Sequence, residues 1–189
     1  MLNHKGVRRI ETERIILRKF RKEDSYDMYN NWASDDEVTK YLSWPTHSSV
    51  ELSKNVISLW INNQSKEDFY NWAIVWKKTN EVIGSIGLVN VDNINESCEV
   101  GYCISKKFWG QGVTSEAFLA LIKFAFDEVG FERITGRHHV ENTASGKVME
   151  KCGLQYEGTL RKVIKNNCGA LVDCKYYSIL KEEFKGFEH

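Results

Sequence analysis

The sequence predicts an α+β fold in which helices flank a mixed, largely antiparallel sheet, and three observations lead there. Three short β-rich runs, "YNWAIVWK", "EVIGSIGLVNVD" and "SCEVGYCIS", are divided by polar turns such as Lys78-Thr79-Asn80 and Asn93-Ile94-Asn95-Glu96, the pattern of an antiparallel meander. The period then changes: from Val113 to Val129, apolar residues at 113, 117, 120, 121 and 124 mark one helical face, and Phe118, Ile122 and Phe126 widen it. Two further β-rich runs, "LQYEGTLRKVI" and "VDCKYYSIL", close the chain as a pair of strands.

The remaining elements follow in order. Glu13 to Phe20, "ERIILRKF", has the branched apolar residues of a strand, and "RKEDSYDMYNNWAS" reads as a short helix begun by Asp24 or Ser25. "SSVELSKNVISLWINNQ" offers Ser48 or Ser49 as a helix cap, with Val50, Val56, Leu59 and Trp60 roughly on one side; Pro45, the only proline, separates the two helices. After the long helix, "RITGRHHV" reads as a strand and "NTASGKVMEKCG" as a helix opened by Asn142 and stopped by Gly153. Without an internal repeat, low-complexity tract or linker, residues 1–189 read as a single domain.

Composition narrows the functional classes. At 189 residues and 42% hydrophobic content the chain can bury a substantial core. Lys and Arg number 26 and so do Asp and Glu, so no broad positive field points to nucleic acid, and any bound anion must be held locally. Cys98, Cys103, Cys152, Cys168 and Cys174 form no CxxC pair and leave an odd one over, which argues against a disulfide framework and a zinc site and for a reducing cytosol. The N-terminus lacks a secretory apolar core, and no run approaches the ~18 apolar residues of a membrane span. The expectation is a soluble, cytoplasmic protein without metal, membrane or nucleic-acid partner.

One stretch carries chemistry on its own terms: "FWGQGVTSEA", residues 108–117, puts two glycines just before the long helix. Gly110 and Gly112 would let the chain turn sharply and approach a ligand closely, and the free N–H groups and dipole of the following helix favour a phosphate. Lys106 and Lys107 are placed to add charge. The same GxG also serves as a tight connection; it is neither a P-loop, lacking GK[ST], nor the dinucleotide fingerprint, lacking the third glycine.

"CEVGYCISKKFWGQGVTSEAFLALIKFAF" followed by "ENTASGKVMEKCGLQYEG" resembles the GCN5-related N-acetyltransferases, especially the branch that includes the ribosomal-protein N-terminal alanine acetyltransferases. The resemblance runs from about "ETERIILRKF" to "YYSIL". It implies acetyl-CoA as cosubstrate, lying between two central, splayed parallel strands, here "EVGYCI" and "RITGRHHV". Its pyrophosphate would rest on Trp109, Gly110, Gln111, Gly112, Val113 and Thr114, and its pantetheine and developing oxyanion on backbone groups of Tyr102, Cys103 and Ile104. Relatives usually carry Gln or Arg at Trp109 and Gly or Ala at Thr114; Trp before GQG fits the ribosomal branch, and Thr114 keeps the backbone donors while adding bulk. Asn142 bonds the pantetheine, caps its helix, or both.

Acetyl transfer to an amine needs a neutral amine, a positioned thioester, oxyanion donors and a proton for the departing thiolate. Glu99 is the candidate base: it starts its strand and shares a face with Gly101 and Cys103 where alternation is unbroken; otherwise it is a solvated carboxylate at a strand end. For the acid, relatives often place a tyrosine seven residues after the asparagine equivalent to Asn142. Met149 stands there, and a thioether donates no proton. Ser145, one turn after Asn142, matches a serine of the ribosomal branch and is the candidate acid, against an ordinary polar role in a first turn. His138 and His139 face opposite ways on their strand and lack a third metal ligand, so they read as structural or substrate-side residues. Tyr176 and Tyr177 read as sheet packing, and Cys103 as a small hydrophobe rather than a nucleophile.

The acceptor should meet "YLSWPTHSSVE" and the helix after it. The expected function is acetylation of the N-terminal amine of a protein or peptide, by a monomer or homodimer, since an α-amine (pKa ~8) offers more neutral form at pH 7 than a lysine (~10.4). A small amine (amino acid, polyamine or antibiotic) is the alternative acceptor, favoured for polyamines by an acidic cleft. A noncatalytic acyl-CoA sensor is the reading from a different class.

Overall fold

The computed structural model describes residues 1–186. Its eight strands are β1 (Ile10–Glu11), β2 (Ile15–Arg18), β3 (Tyr70–Trp76), β4 (Glu81–Asp92), β5 (Ser97–Ile104), β6 (Arg133–His139), β7 (Gln155–Lys165) and β8 (Leu171–Leu180). They form one sheet in the order β1-β2-β3-β4-β5-β6-β8-β7. The expected meander is present as β3-β4-β5, and the closing strands pair as a hairpin whose second strand inserts beside β6. Only β5 and β6 run parallel, and they pair through Ser97↔Arg133, Cys98↔Ile134 and Glu99↔Thr135 alone. Beyond that point β5 stays on β4 as far as Ile104 while β6 stays on β8 as far as His139, so the sheet forks at its centre.

Alternation along the strands gives the sheet two apolar faces and two cores. On one face Leu17, Trp72, Ile74, Val100 and Ile134 pack under the helices α4 (Val113–Phe124) and α5 (Thr143–Lys151). Every position expected on the buried side of α4 is buried, Val113, Ala117, Phe118, Leu121 and Ile122 completely. The helix continues in a wider π-type turn, Ala125–Val129, closed by Gly130, whose N–H returns to the Ala125 carbonyl at 3.0 Å. On the other face Ala73, Val75, Val82 and Cys103 meet Phe20, Met28, Trp32 and Ile57. The last four come from the N-terminal helices and the chain leading to them, α1 (Asp24–Met28) with its π-type continuation Tyr29–Ala33, and α3 (Val50–Asn63).

In the N-terminal third, α1 begins at Asp24 as expected, and that carboxylate is buried in a pair with Arg18 at 2.7 Å and accepts the Arg21 N–H at 2.7 Å rather than capping the helix. The carboxylate is buried, and leaving it without the Arg18 guanidinium would cost more than an uncapped helix end. Ser49 does occupy the N-cap of α3, yet its side chain makes no capping bond. The two-residue β1 and the single-turn α2 (Asp36–Thr39), capped by Asp35 on the Glu37 N–H, were not anticipated.

Candidate active site

The fork is lined by peptide edges that the sheet cannot use. The Ser105 N–H bonds the Ile83 carbonyl at 2.8 Å, and antiparallel alternation then turns the peptide groups of Glu99, Gly101 and Cys103 toward β4 and those of Tyr102 and Ile104 toward the fork. Of the three backbone positions expected there, Cys103 faces away; its side chain is buried in the second core, and burial pushes the thiol up to about 12, so it stays neutral. The Ile104 carbonyl is taken by the Trp109 indole N–H at 3.1 Å, which ties the exposed Trp109 to the root of the glycine turn.

That turn is built as its glycines require. Gly110 and Gly112 both hold left-handed φ, +72° and +75°, and Gly112 is the N-cap of α4. Val113 and Thr114 turn their side chains into the protein, so the bulk of Thr114 is not on the open side of the turn. The first-turn N–H groups have no intrahelical acceptor. Gln111 bonds the Lys107 carbonyl through its amide at 2.7 Å, and its own carbonyl accepts Arg14 Nη1–H at 2.9 Å. Arg14 is held in turn by Glu116, Nε to Oε2 at 2.6 Å, and Glu116 also accepts the Arg14 N–H and the Thr12 hydroxyl. A methyl group placed on Gly112 would stand 3.5 Å from Lys151 Nζ and 3.7 Å from Arg14 Nη2, so two cations approach the turn. Neither was legible from spacing, because each arrives from a distant element. Lys106, expected to add charge, instead pairs with Glu37 at 2.6 Å. From Gln111 and Gly112 a groove of about 1010 Å³ runs along α4 beside residues 10–14.

Glu99 stands at the last residue pair before the strands part. The alternation of β5 is unbroken; the irregularity lies across from it in β4, between Val89 and Asp92, where Asn90 has φ +51° and its amide reaches Glu99 at 3.4 Å. Arg137 Nε lies 3.3 Å from the other carboxylate oxygen. Burial raises the Glu99 pKa and Arg137 and Asn90 only partly offset it, so the carboxyl sits above its ordinary range. A carboxyl so raised holds its proton to higher pH than an exposed glutamate does.

On the opposite face, Asn142 caps α5, accepting the Ser145 N–H at 3.3 Å. The Ser145 hydroxyl is 2.7 Å from the Tyr102 hydroxyl, which also donates to the Ser145 carbonyl at 3.1 Å. The side chain of Tyr102, not singled out from the sequence, thus bridges β5 and α5 beneath the fork; its position two residues from Val100, on the α4 face, was the available signal. Met149 is core, and a methyl group on Gly136 would meet its Cε at 3.1 Å. His138 is buried, its Nδ1 bonded to the His139 carbonyl and its ring stacked on Tyr177, whereas His139 faces Tyr41 at a ring distance of 5.1 Å. Tyr176 contacts Arg137 through its hydroxyl at 3.4 Å. Loop residues 41–43 and the β7-β8 hairpin close a small cavity over the C-terminal end of β6.

Among the described residues no group of three or more His, Cys, Asp or Glu is arranged to hold a metal ion, and no helix is long and apolar enough to cross a membrane. Residues 14–155 match the family described as the acetyltransferase (GNAT) domain. The chain is 38% identical over 176 residues to the uncharacterized N-acetyltransferase p20 of Bacillus licheniformis, covering 93% of this chain and 97% of that one. It is 39% identical over 103 residues, 54% of this chain and 56% of the other, to YdaF of Bacillus subtilis, whose name assigns it provisionally to ribosomal N-acetylation. A crystal structure of a GNAT-family acetyltransferase from Bacillus anthracis superposes with a TM-score of 0.80 at 30% identity, over 93% of this chain and 99% of that one. With a forked parallel pair, a left-handed glycine turn heading α4 and these relatives along most of its length, the chain belongs to the GNAT family of acetyltransferases and is an N-acetyltransferase.

Proposed function

We propose that the chain, acting as a single catalytic domain, transfers the acetyl group of acetyl-CoA to the N-terminal amine of a protein or peptide. The observation that carries this reading is the end of the β5–β6 ladder at Glu99↔Thr135, which leaves the Tyr102 peptide and the Ile104 N–H facing the fork beside a carboxyl of raised pKa. A pantetheine arm entering the fork would complete the ladder through those groups, and the left-handed turn Gly110–Gly112 with Lys151 and Arg14 close by suits a pyrophosphate. The groove along α4 has room for the nucleotide end. Glu99 on one face would receive the amine proton, directly or through water, and Ser145 on the other would supply the proton to the sulfur, the role that Met149 cannot fill. The amine of a peptide terminus, with its pKa near ~8, demands little of such a base. The acceptor-side cavity contains no carboxylate, which speaks against polyamines and aminoglycosides, and the name given to YdaF points the same way.

The test is release of CoA thiol from acetyl-CoA with N-terminal peptides, amino acids, polyamines and aminoglycosides, beside calorimetric titration of acetyl-CoA. Peptide-dependent turnover is expected, with kcat/KM rising as pH climbs through a group above the ordinary carboxylate range, since the base works ionised. Glu99→Gln should remove that limb and lower the rate by about 10²-fold. Turnover on small amines alone would move the acceptor to that class. Acetyl-CoA binding without turnover on any amine would replace catalysis by sensing.

A further inference from the structure

The cavity at the C-terminal end of β6 is lined by neutral and cationic groups, and one of them, Arg137, also contacts Glu99. Its walls include Arg137, His139 and Lys165 and not one aspartate or glutamate, in a chain whose acidic and basic residues are equal in number. Arg137 is shared between this cavity and Glu99, whose Oε1 lies 3.3 Å from its Nε. Of its five N–H donors, Nε faces Glu99 in that pair and Nη1 makes a long bond to the Tyr176 hydroxyl at 3.4 Å. No salt bridge among the described residues engages Lys165, which is exposed at the rim. The Nδ1 of His139 accepts the Glu141 N–H at 3.1 Å, which leaves the ring proton on Nε2, a further donor. At about 70 Å³ the cavity admits a carboxylate head and about one water, a water's share of liquid volume being ~30 Å³.

We propose that the acceptor bears a carboxylate close to its reactive amine, and that Arg137, assisted by Lys165 and His139, binds that carboxylate while the amine lies against Glu99. The inference rests on the acetyl-transfer reading above and names the acceptor chemistry of the same site. A guanidinium presents a planar fork that matches a carboxylate, and one that touches the base on one side and an anion cavity on the other holds amine and carboxylate side by side. Two sources carry this chemistry: a peptide whose first residue is Asp or Glu, and a free amino acid.

The experiment measures kcat/KM on four sets of acceptors: C-terminally amidated peptides beginning with Asp or Glu, the same peptides beginning with Asn or Gln, free amino acids with their amides, and spermidine. A charge-assisted bond of this kind should favour each acid over its amide by about 10- to 100-fold. Arg137→Gln should abolish that ratio; Lys165→Gln, at an exposed side chain that touches no core, should reduce it. Calorimetric titration with the N-acetylated acid and the N-acetylated amide gives a readout free of turnover, and the acid should bind more tightly by a similar factor. Preference in the peptide arm identifies a protein terminus as the source, and preference in the amino-acid arm a metabolite. Equal kcat/KM for acid and amide, or faster turnover of spermidine, overturns the carboxylate site and leaves acetyl transfer standing; no turnover on any amine overturns both.

Discussion

The Tyr102 hydroxyl has one proton and two acceptors, the carbonyl and the hydroxyl of Ser145, at 3.1 and 2.7 Å. Donation to the carbonyl leaves the Ser145 hydroxyl to donate to Tyr102; donation to the hydroxyl frees the Ser145 proton for another acceptor. Burial raises the Tyr102 pKa, but a serine hydroxyl is a weaker acid still, so acidity does not choose between them, and the two hydroxyls, 2.7 Å apart, are expected to act as one proton-donating unit. Ser145→Ala is expected to lower kcat by about 10²-fold with KM for acetyl-CoA nearly unchanged, and Tyr102→Phe, which keeps the ring, by about tenfold. The double variant should be no slower than Ser145→Ala, because residues acting as one unit are not additive. Steady-state kinetics on the three proteins decide the matter, and an unimpaired Ser145→Ala would take the proton-donor role from this serine. Ser145 was reached through the family resemblance, as the serine one turn after Asn142, but its partner lies 43 residues upstream, and neither resemblance nor local spacing carries that pairing.

At the scale of elements, the start of α4 is fastened to the β2 side of the sheet by Glu116. Burial alone would raise this carboxyl, but bonds from the Thr12 hydroxyl, the Arg14 N–H and the Arg14 guanidinium outweigh it, and the pKa is lowered overall. A group whose folded pKa is depressed contributes stability above its unfolded pKa and loses it as pH falls through the folded value. The melting temperature of the native protein should therefore drop on acidification below the ordinary glutamate range more steeply than that of Glu116→Gln. Because Arg14 also holds the Gln111 carbonyl, the same variant should loosen the glycine turn and raise KM for acetyl-CoA by about three- to tenfold, the equivalent of about 1 kcal/mol, with little change in kcat. Identical acid slopes and identical KM would show that the clamp does not hold the turn. Elements with a long period were legible in advance: α4 by its five-position stripe, the meander by its alternation and α5 by its asparagine. β1 and α2 were not, since two and four residues are too short to express a period.

For the molecule as a whole, the decisive feature is how little sheet joins its two halves. β1–β5 and β6–β8 meet through three parallel residue pairs, and α4 and α5 bridge the rest. Neither run of sequence, "EVGYCI" or "RITGRHHV", contains a signal for where pairing stops; the fork was foreseen only through family resemblance, and its position at Glu99↔Thr135 belongs to the tertiary structure. A cosubstrate that fills the fork binds both halves at once and has no site in the unfolded chain. At a concentration 100 times its Kd it adds about 2.7 kcal/mol, which for a chain of this size raises the melting temperature by about 5–10 °C. Hydrogen exchange should localise that gain. The amides of Tyr102 and Ile104, which face the fork, should exchange quickly in the free protein and become protected with acetyl-CoA, whereas that of Cys103, turned toward β4, should be slow in both states. Protection confined to the groove along α4, with Tyr102 and Ile104 unchanged, would place the cosubstrate outside the fork and separate the glycine turn from the chemistry assigned to Glu99 and Ser145.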